Sequence, residues 1–172
     1  EPRFESTARV FPIAYHSKSI WIPNGNKRQL LRLRPSNGVM QATVDLPVKP
    51  YTVKKGFDSL WITPFRKSSL VRVDPTSSKV IAEIKVGKGS SELAVGETGV
   101  GISEHARGVI RRIDPITNEV VKTFQPCAEP FGISRDASYL WVACNRDRKI
   151  LRIDPETYKE SGSVYVGGSP AF

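Results

Sequence analysis

Lys149-Ile150-Leu151-Arg152-Ile153-Asp154-Pro155-Glu156-Thr157 is the stretch that decides the fold, because its pattern returns at a fixed interval. Pro35, Pro75, Pro115 and Pro155 follow one another at steps of 40 residues, and Arg32, Arg72, Arg112 and Arg152 keep the same step. A period of this length marks an array of like supersecondary units.

Ahead of each arginine lies an apolar triplet: Ile20-Trp21-Ile22, Leu60-Trp61-Ile62, Val100-Gly101-Ile102 and Leu140-Trp141-Val142. Behind it comes a closing segment such as Val80-Ile81-Ala82-Glu83-Ile84-Lys85-Val86, which alternates apolar and charged residues as a half-exposed strand does. A fourth short apolar segment is marked by Ile13, Val53, Leu93 and Ile133, again at the common step. Each unit therefore holds four strands, A to D. The C to D turn opens on Asp-Pro in three copies, where proline presets φ and aspartate can accept bonds from the backbone ahead. No segment carries helical apolar spacing over the length a helix needs, so the chain reads as all-β.

A repeated four-strand unit of about 40 residues is the signature of a β-propeller blade, because an isolated sheet of this size cannot cover its two faces and stacked neighbours do. The units span 9–46, 49–86, 89–126 and 129–166, within a single propeller domain or segment over 1–172. Residues 1–5 match a stray D strand, with Phe4 at the place of Val44, Ile84, Phe124 and Val164, and 167–172 match the opening of a further blade. This phase predicts four complete blades of a larger, seven- or eight-bladed propeller. The expected core comprises Ile13, Ile20, Ile22, Leu33, Val53, Leu60, Ile62, Leu93, Ile102, Ile113, Ile133, Leu140, Val142 and Ile153. The recurring tryptophans wedge between sheets, and at Gly101, which breaks their series, the blade is expected either to pack differently or to leave room beside it. The C-strand arginines are expected to bury their stems and pair with Asp74, Asp114 or Asp154.

The composition, 39% hydrophobic and 25% charged, is that of a globular domain, and no apolar run approaches the ~18 residues of a membrane helix. The net charge of +9 favours an anionic ligand or an acidic protein surface, with single-stranded nucleic acid as one candidate. The charge is polarised. The B to C loops carry Lys27, Arg28, Arg66, Lys67, Arg107, Arg146, Arg148 and Lys149 against Glu104 and Asp147, whereas the C to D turns are net acidic. Tyr51 and Phe131, at the openings of A strands, complete the expected ligand-binding set at the top of the blades. Cys127 and Cys144 are too few for a zinc site or a disulfide scaffold; they form one bridge or stay as two thiols, and a bridge would fit an exported protein.

Leu-Trp-Val at 140–142, Ile-Leu-Arg-Ile-Asp-Pro-Glu-Thr at 150–157 and Val-Gly-Gly-Ser-Pro at 166–170 resemble the repeat of the YVTN, or YncE-like, β-propellers. That resemblance covers nearly the whole chain and implies an exported (periplasmic, secreted or cell-surface) protein, serving as a binding platform, a surface protein or a subunit of a redox enzyme. Ser103-Glu104-His105 resembles the loop of streptogramin B lyases, propellers that open a cyclic depsipeptide by elimination with a Mg²⁺-assisted histidine base. The resemblance implies His105 and Glu104 as catalytic residues, although Thr63-Pro64 and Ala143-Cys144 stand where those enzymes carry an aromatic-Thr-Glu phrase. The residues favour a non-catalytic binding module without cofactor, in which Glu104 and His105 have no convergent charged partners. A lyase using Mg²⁺ and a structural surface or redox-complex subunit are the alternatives. Oligomerisation is expected if this chain is the whole protein.

Overall fold

A computed structural model describes residues 12–64 and 68–170. The strand expected at 1–5, the first residues of the opening unit, Arg66, Lys67, Ala171 and Phe172 lie outside the described residues. Four antiparallel four-stranded sheets follow one another. The first contains β1 (Ala14–His16), β2 (Ser19–Asn24), β3 (Gln29–Leu33) and β4 (Met40–Asp45). The second contains β5 (Pro50–Gly56), β6 (Ser59–Pro64), β7 (Ser69–Asp74) and β8 (Lys79–Lys85). The third contains β9 (Ser90–Gly96), β10 (Gly99–Glu104), β11 (Val109–Ile113) and β12 (Val120–Phe124). The fourth contains β13 (Pro130–Arg135), β14 (Leu140–Cys144), β15 (Lys149–Ile153) and β16 (Glu160–Tyr165). Strands pair in chain order within each sheet, as expected for blades, and a three-residue 3₁₀ turn at His105–Arg107 is the one helical element among the described residues.

The chain divides into two compact units between Glu83 and Ile84. In the first, Trp21, Leu30 and Val44 of blade 1 pack with Val53, Leu60, Ile62, Val71 and Val73 of blade 2. In the second, Ala94 and Ile110 of blade 3 pack with Ile133, Leu140, Val142, Leu151 and Ile153 of blade 4. Burying a side chain of this size stabilises by about 1.5–3 kcal/mol, which is why the apolar triplets dictate the pairing. Three expected core residues differ. Ile13 is 56% exposed, and Ile20 and Ile22 are half-buried. In blades 2 and 4 the equivalent face meets the preceding blade of its own unit, and no described blade precedes blade 1.

Each C-strand arginine stands opposite the triplet's central residue: Trp21↔Arg32, Trp61↔Arg72, Gly101↔Arg112 and Trp141↔Arg152. Arg32 and Arg72 lie over the facing indoles, 5.3 and 4.8 Å from the ring centroids, and donate through Nε to Ser19 Oγ and Ser59 Oγ at 2.9 Å. The indoles in turn donate to the carbonyls of His16 and Gly56. This corrects the expected pairing with aspartate. Asp74, Asp114 and Asp154 instead accept backbone N–H groups two and three residues ahead, closing their own turns. Those turns end in a left-handed residue at 40-residue steps: Gly38, Ser78, Asn118 and Tyr158. Glycine adopts this conformation freely, whereas a bulky tyrosine does so at a cost in strain.

Arg72→Ala should lower the unfolding free energy by about 2–3 kcal/mol in urea titration, because it removes the ring contact and strands the Ser59 and Phe57 acceptors. Exposed Lys55→Ala should change it by less than about 0.5 kcal/mol; equal effects would deny the stack its role.

Hydrogen bonds hold three carboxylates below their ordinary pKa: from Ser77 for Asp74, from the Trp141 indole for Asp136, and from the Thr157 backbone for Asp154. Stability from a depressed carboxylate is present above its unfolded pKa of about 3.9 and lost as pH falls through the lower folded value. The thermal midpoint should therefore drop on acidification below about pH 4. Asp136→Asn should flatten that acid limb in calorimetry.

Candidate functional site

The third blade carries the carboxylate and histidine singled out in the sequence. Glu104 ends β10 with its side chain fully buried. Its Oε1 accepts the Gly87 N–H at 2.6 Å and the Nε–H of Arg111, while Arg107 Nε stands 4.0 Å from Oε2. Oε2 is itself buried without a hydrogen-bond partner among the described residues. A Cβ on Gly87 would fall 1.9 Å from Oε2, so the absence of a side chain at 87 makes the space for this carboxylate.

Convergent basic partners therefore exist, contrary to expectation. Position 111 corresponds to Leu31, Val71 and Leu151, all buried, and Arg111 faces Ile102 across the strand pair. A charge placed where three sister blades bury an apolar side chain demands a counter-charge, and Glu104 supplies it. That mismatch is the signal by which Arg111 could have been found.

His105 begins the 3₁₀ turn and is half-buried, its ring centred 5.2 Å from that of Phe131. Its Nδ1 lies 3.0 Å from the Gly89 carbonyl. A carbonyl only accepts, so this hydrogen bond takes a proton on Nδ1 and leaves Nε2 out of the contact. Ser103 Oγ donates to the Phe131 carbonyl at 2.7 Å, which holds the start of β13 against the end of β10. Glu104, His105, Arg107 and Phe131 are thus brought together in the second unit.

The other expected ligand-binding residues occupy separate turns. Lys27 and Arg28 are exposed between β2 and β3, and Arg146 and Arg148 are exposed between β14 and β15. Arg28 and Arg148 are both left-handed, and their carbonyls accept the N–H groups of Leu46 and Val166. Tyr51 is half-buried in β5. Cys127 and Cys144 form a disulfide with Cα atoms 6.1 Å apart, joining the segment after β12 to the end of β14. Together with Asp147 they make the one cluster of metal-ligand spacing among the described residues, and the bond engages two of its three donors.

The blades have the fold of β-propellers of known structure. Hydrazine synthase of Kuenenia stuttgartiensis matches with a TM-score of 0.80 at 16% identity, over 95% of this chain and 52% of that one. Apo AztD from Citrobacter koseri matches with 0.73 at 17%, over 94% and 48%. A streptogramin B lyase matches with 0.80 at 20%, over 95% and 57%. Identities this low carry the fold alone, and the chain spans about half the length of these structures. No protein-family model matches the sequence, and no curated protein does. The YncE-like resemblance thus rests on its repeat motif.

Glu104→Ala should cost about 3–4 kcal/mol in chemical denaturation, because it leaves Arg111 without its counter-charge. Gly87→Ala should destabilise comparably through steric conflict with the same carboxylate, and pairing it with Glu104→Ala should be clearly less than additive. Full additivity would mean that the two sites do not meet.

Proposed function

We propose that this chain is part of a non-catalytic propeller module that binds an anionic ligand or an acidic protein surface through the basic turns between its B and C strands. The observation that carries this reading is the use made of the one carboxylate and histidine pair: Glu104 is buried against Arg111 and Gly87, and His105 is tied through Nδ1 to Gly89. A carboxylate so fully buried is out of reach of a substrate. Lys27, Arg28, Arg107, Arg146 and Arg148 are by contrast solvent-exposed, and the chain carries a net charge of +9. Exposed charges of one sign accelerate encounter with anions far more than they stabilise a fold. The disulfide supports an exported location, since such bonds persist in oxidising compartments.

The fold alone selects no activity: the structures it resembles include a streptogramin B lyase, hydrazine synthase and AztD. One feature favours a lyase as the second reading, namely the Gly89 contact, which engages Nδ1 of His105 and leaves Nε2 as the nitrogen able to meet a substrate.

The test measures association with single-stranded nucleic acid by stopped flow across a salt series, for the chain as it stands and for the double reversal Lys27→Glu, Arg146→Glu, both exposed residues. Association should slow about tenfold with the reversal and fall steeply with salt, while stability changes by less than about 1 kcal/mol. Rates indifferent to both changes would leave the basic turns as solubilising residues. Opening of a cyclic depsipeptide that requires Mg²⁺ and is lost in His105→Ala would establish the second reading instead.

A further inference from the structure

The repeat fails at one position, and the space left there has its proper occupant elsewhere in the same chain. Blade 3 has Gly101 where the other blades have Trp21, Trp61 and Trp141. A cavity of about 40 Å³ lies there, between blades 3 and 4, with Ala94, Gly101, Ile110, Phe124 and Leu140 among its walls. Two repeat steps earlier these positions are Ala14, Trp21, Leu30, Val44 and Leu60, and all five belong to the core that joins blade 1 to blade 2. The Trp21 indole is fully buried in that core. The cavity in the second unit is the same slot without its ring.

The cation that covers the indole is kept. Arg32 lies over the Trp21 ring, 5.3 Å from its centroid, and donates to the Pro75 carbonyl and the Ser78 hydroxyl of the next blade. Arg112 has the corresponding place, opposite Gly101 across the strand pair, and donates to the Thr98 carbonyl at 2.7 Å and to the Tyr158 hydroxyl at 3.3 Å. Those bonds run from its terminal nitrogens in the plane of the guanidinium, so the planar face is left for a ring.

Two aromatic walls have been added. Phe124 stands where blade 1 has Val44, and Tyr158 where blade 2 has Ser78, their rings 5.0 Å apart and tilted by 48°. Arg135, at the end of β13, crosses Gly96 so closely that a Cβ there would stand 2.3 Å from its Cδ, and it adds its methylene stem to the wall. These larger side chains take back part of the indole's volume. At roughly 10–15 Å³ for each water on this measure, the remaining space admits about three, which in the liquid occupy roughly 90 Å³, the bulk of one six-membered carbon ring.

We propose that this cleft binds a free, single-ring aromatic molecule in the place of the missing tryptophan. Its mainly apolar walls give water few partners, and such a space gains more from a small apolar guest than from solvent. Among apolar guests an aromatic ring gains most, because the Arg112 guanidinium meets its face and Phe124 and Tyr158 offer tilted ring contacts. The volume is that of a ring with no peptide backbone behind it, which selects a free molecule over the side chain of a partner. The site is built by residues of the second unit alone and draws on none of the basic turns discussed above.

The test is a titration of the full chain with benzene, followed by the ¹H–¹³C methyl resonances of Ile110 and Leu140. Both should shift along one saturating curve, while Leu30 and Leu60, whose slot already holds Trp21, should stay still. Gly101→Trp, at a position where an added Cβ meets only contacts of 3.7 Å or more, should abolish the response by supplying the ring from within. Arg112→Met, which keeps an unbranched apolar stem and removes the charge, should weaken binding about fivefold and decides the matter if the tryptophan variant does not fold. Shifts that fail to saturate, equal shifts at Leu30 and Leu60, unchanged affinity in Arg112→Met, or cyclohexane binding as tightly as benzene would overturn the assignment. So would saturation of the same resonances by the tripeptide Gly-Trp-Gly at a lower concentration than benzene, which would make the cleft a docking point for a partner chain.

Discussion

A guanidinium laid over an indole, across one hydrogen-bonded strand pair, is the interaction on which the blade depends. Arg32 over Trp21 and Arg72 over Trp61 hold a partly desolvated charge against a ring face, a serine hydroxyl and carbonyl oxygens. Burial accordingly pulls the Arg72 guanidinium below its ordinary pKa. Such a charge is satisfied only if every neutral partner is in place. The stack thereby ties B strand to C strand, and the indole N–H ties both to the A to B turn. Within the first unit, Arg32 also reaches the Pro75 carbonyl and Ser78 hydroxyl of the next blade, so one side chain links three segments.

Period and polarity carried the fold in the sequence. The 40-residue step, the apolar triplets and the Asp-Pro turns were enough to predict blades, because each is a local pattern with a local physical cause. The partners of the arginines were not legible in the same way. Asp74 is two residues from Arg72 in the chain, yet its carboxylate is claimed by the backbone of its own turn, and the true partners come from other strands.

The two glycines of blade 3 show both sides of this limit. Gly101 announced missing volume, and the cavity is there. The approach of Arg135 had no sequence sign, because it arrives from the adjacent blade and rests on a glycine far from it in the chain. Glu104 looked like a loop residue open to solvent; its burial follows from Arg111, whose charge stands in an apolar column visible only when the repeats are superposed.

The disulfide has a mechanical meaning as well as a compartmental one. Cys127 and Cys144 are 17 residues apart, and the loop they close contains all of β13, including Phe131. Phe131 packs on His105 and receives the Ser103 hydroxyl, so the covalent ring braces the turn that leads into β11 from behind. Reduction would return the chain entropy of a loop this size, worth about 3 kcal/mol, to exactly the segment on which that turn leans. Thiol poise is then a setting of the rim's stiffness, felt first by an imidazole that contains no sulfur and touches none of the bond.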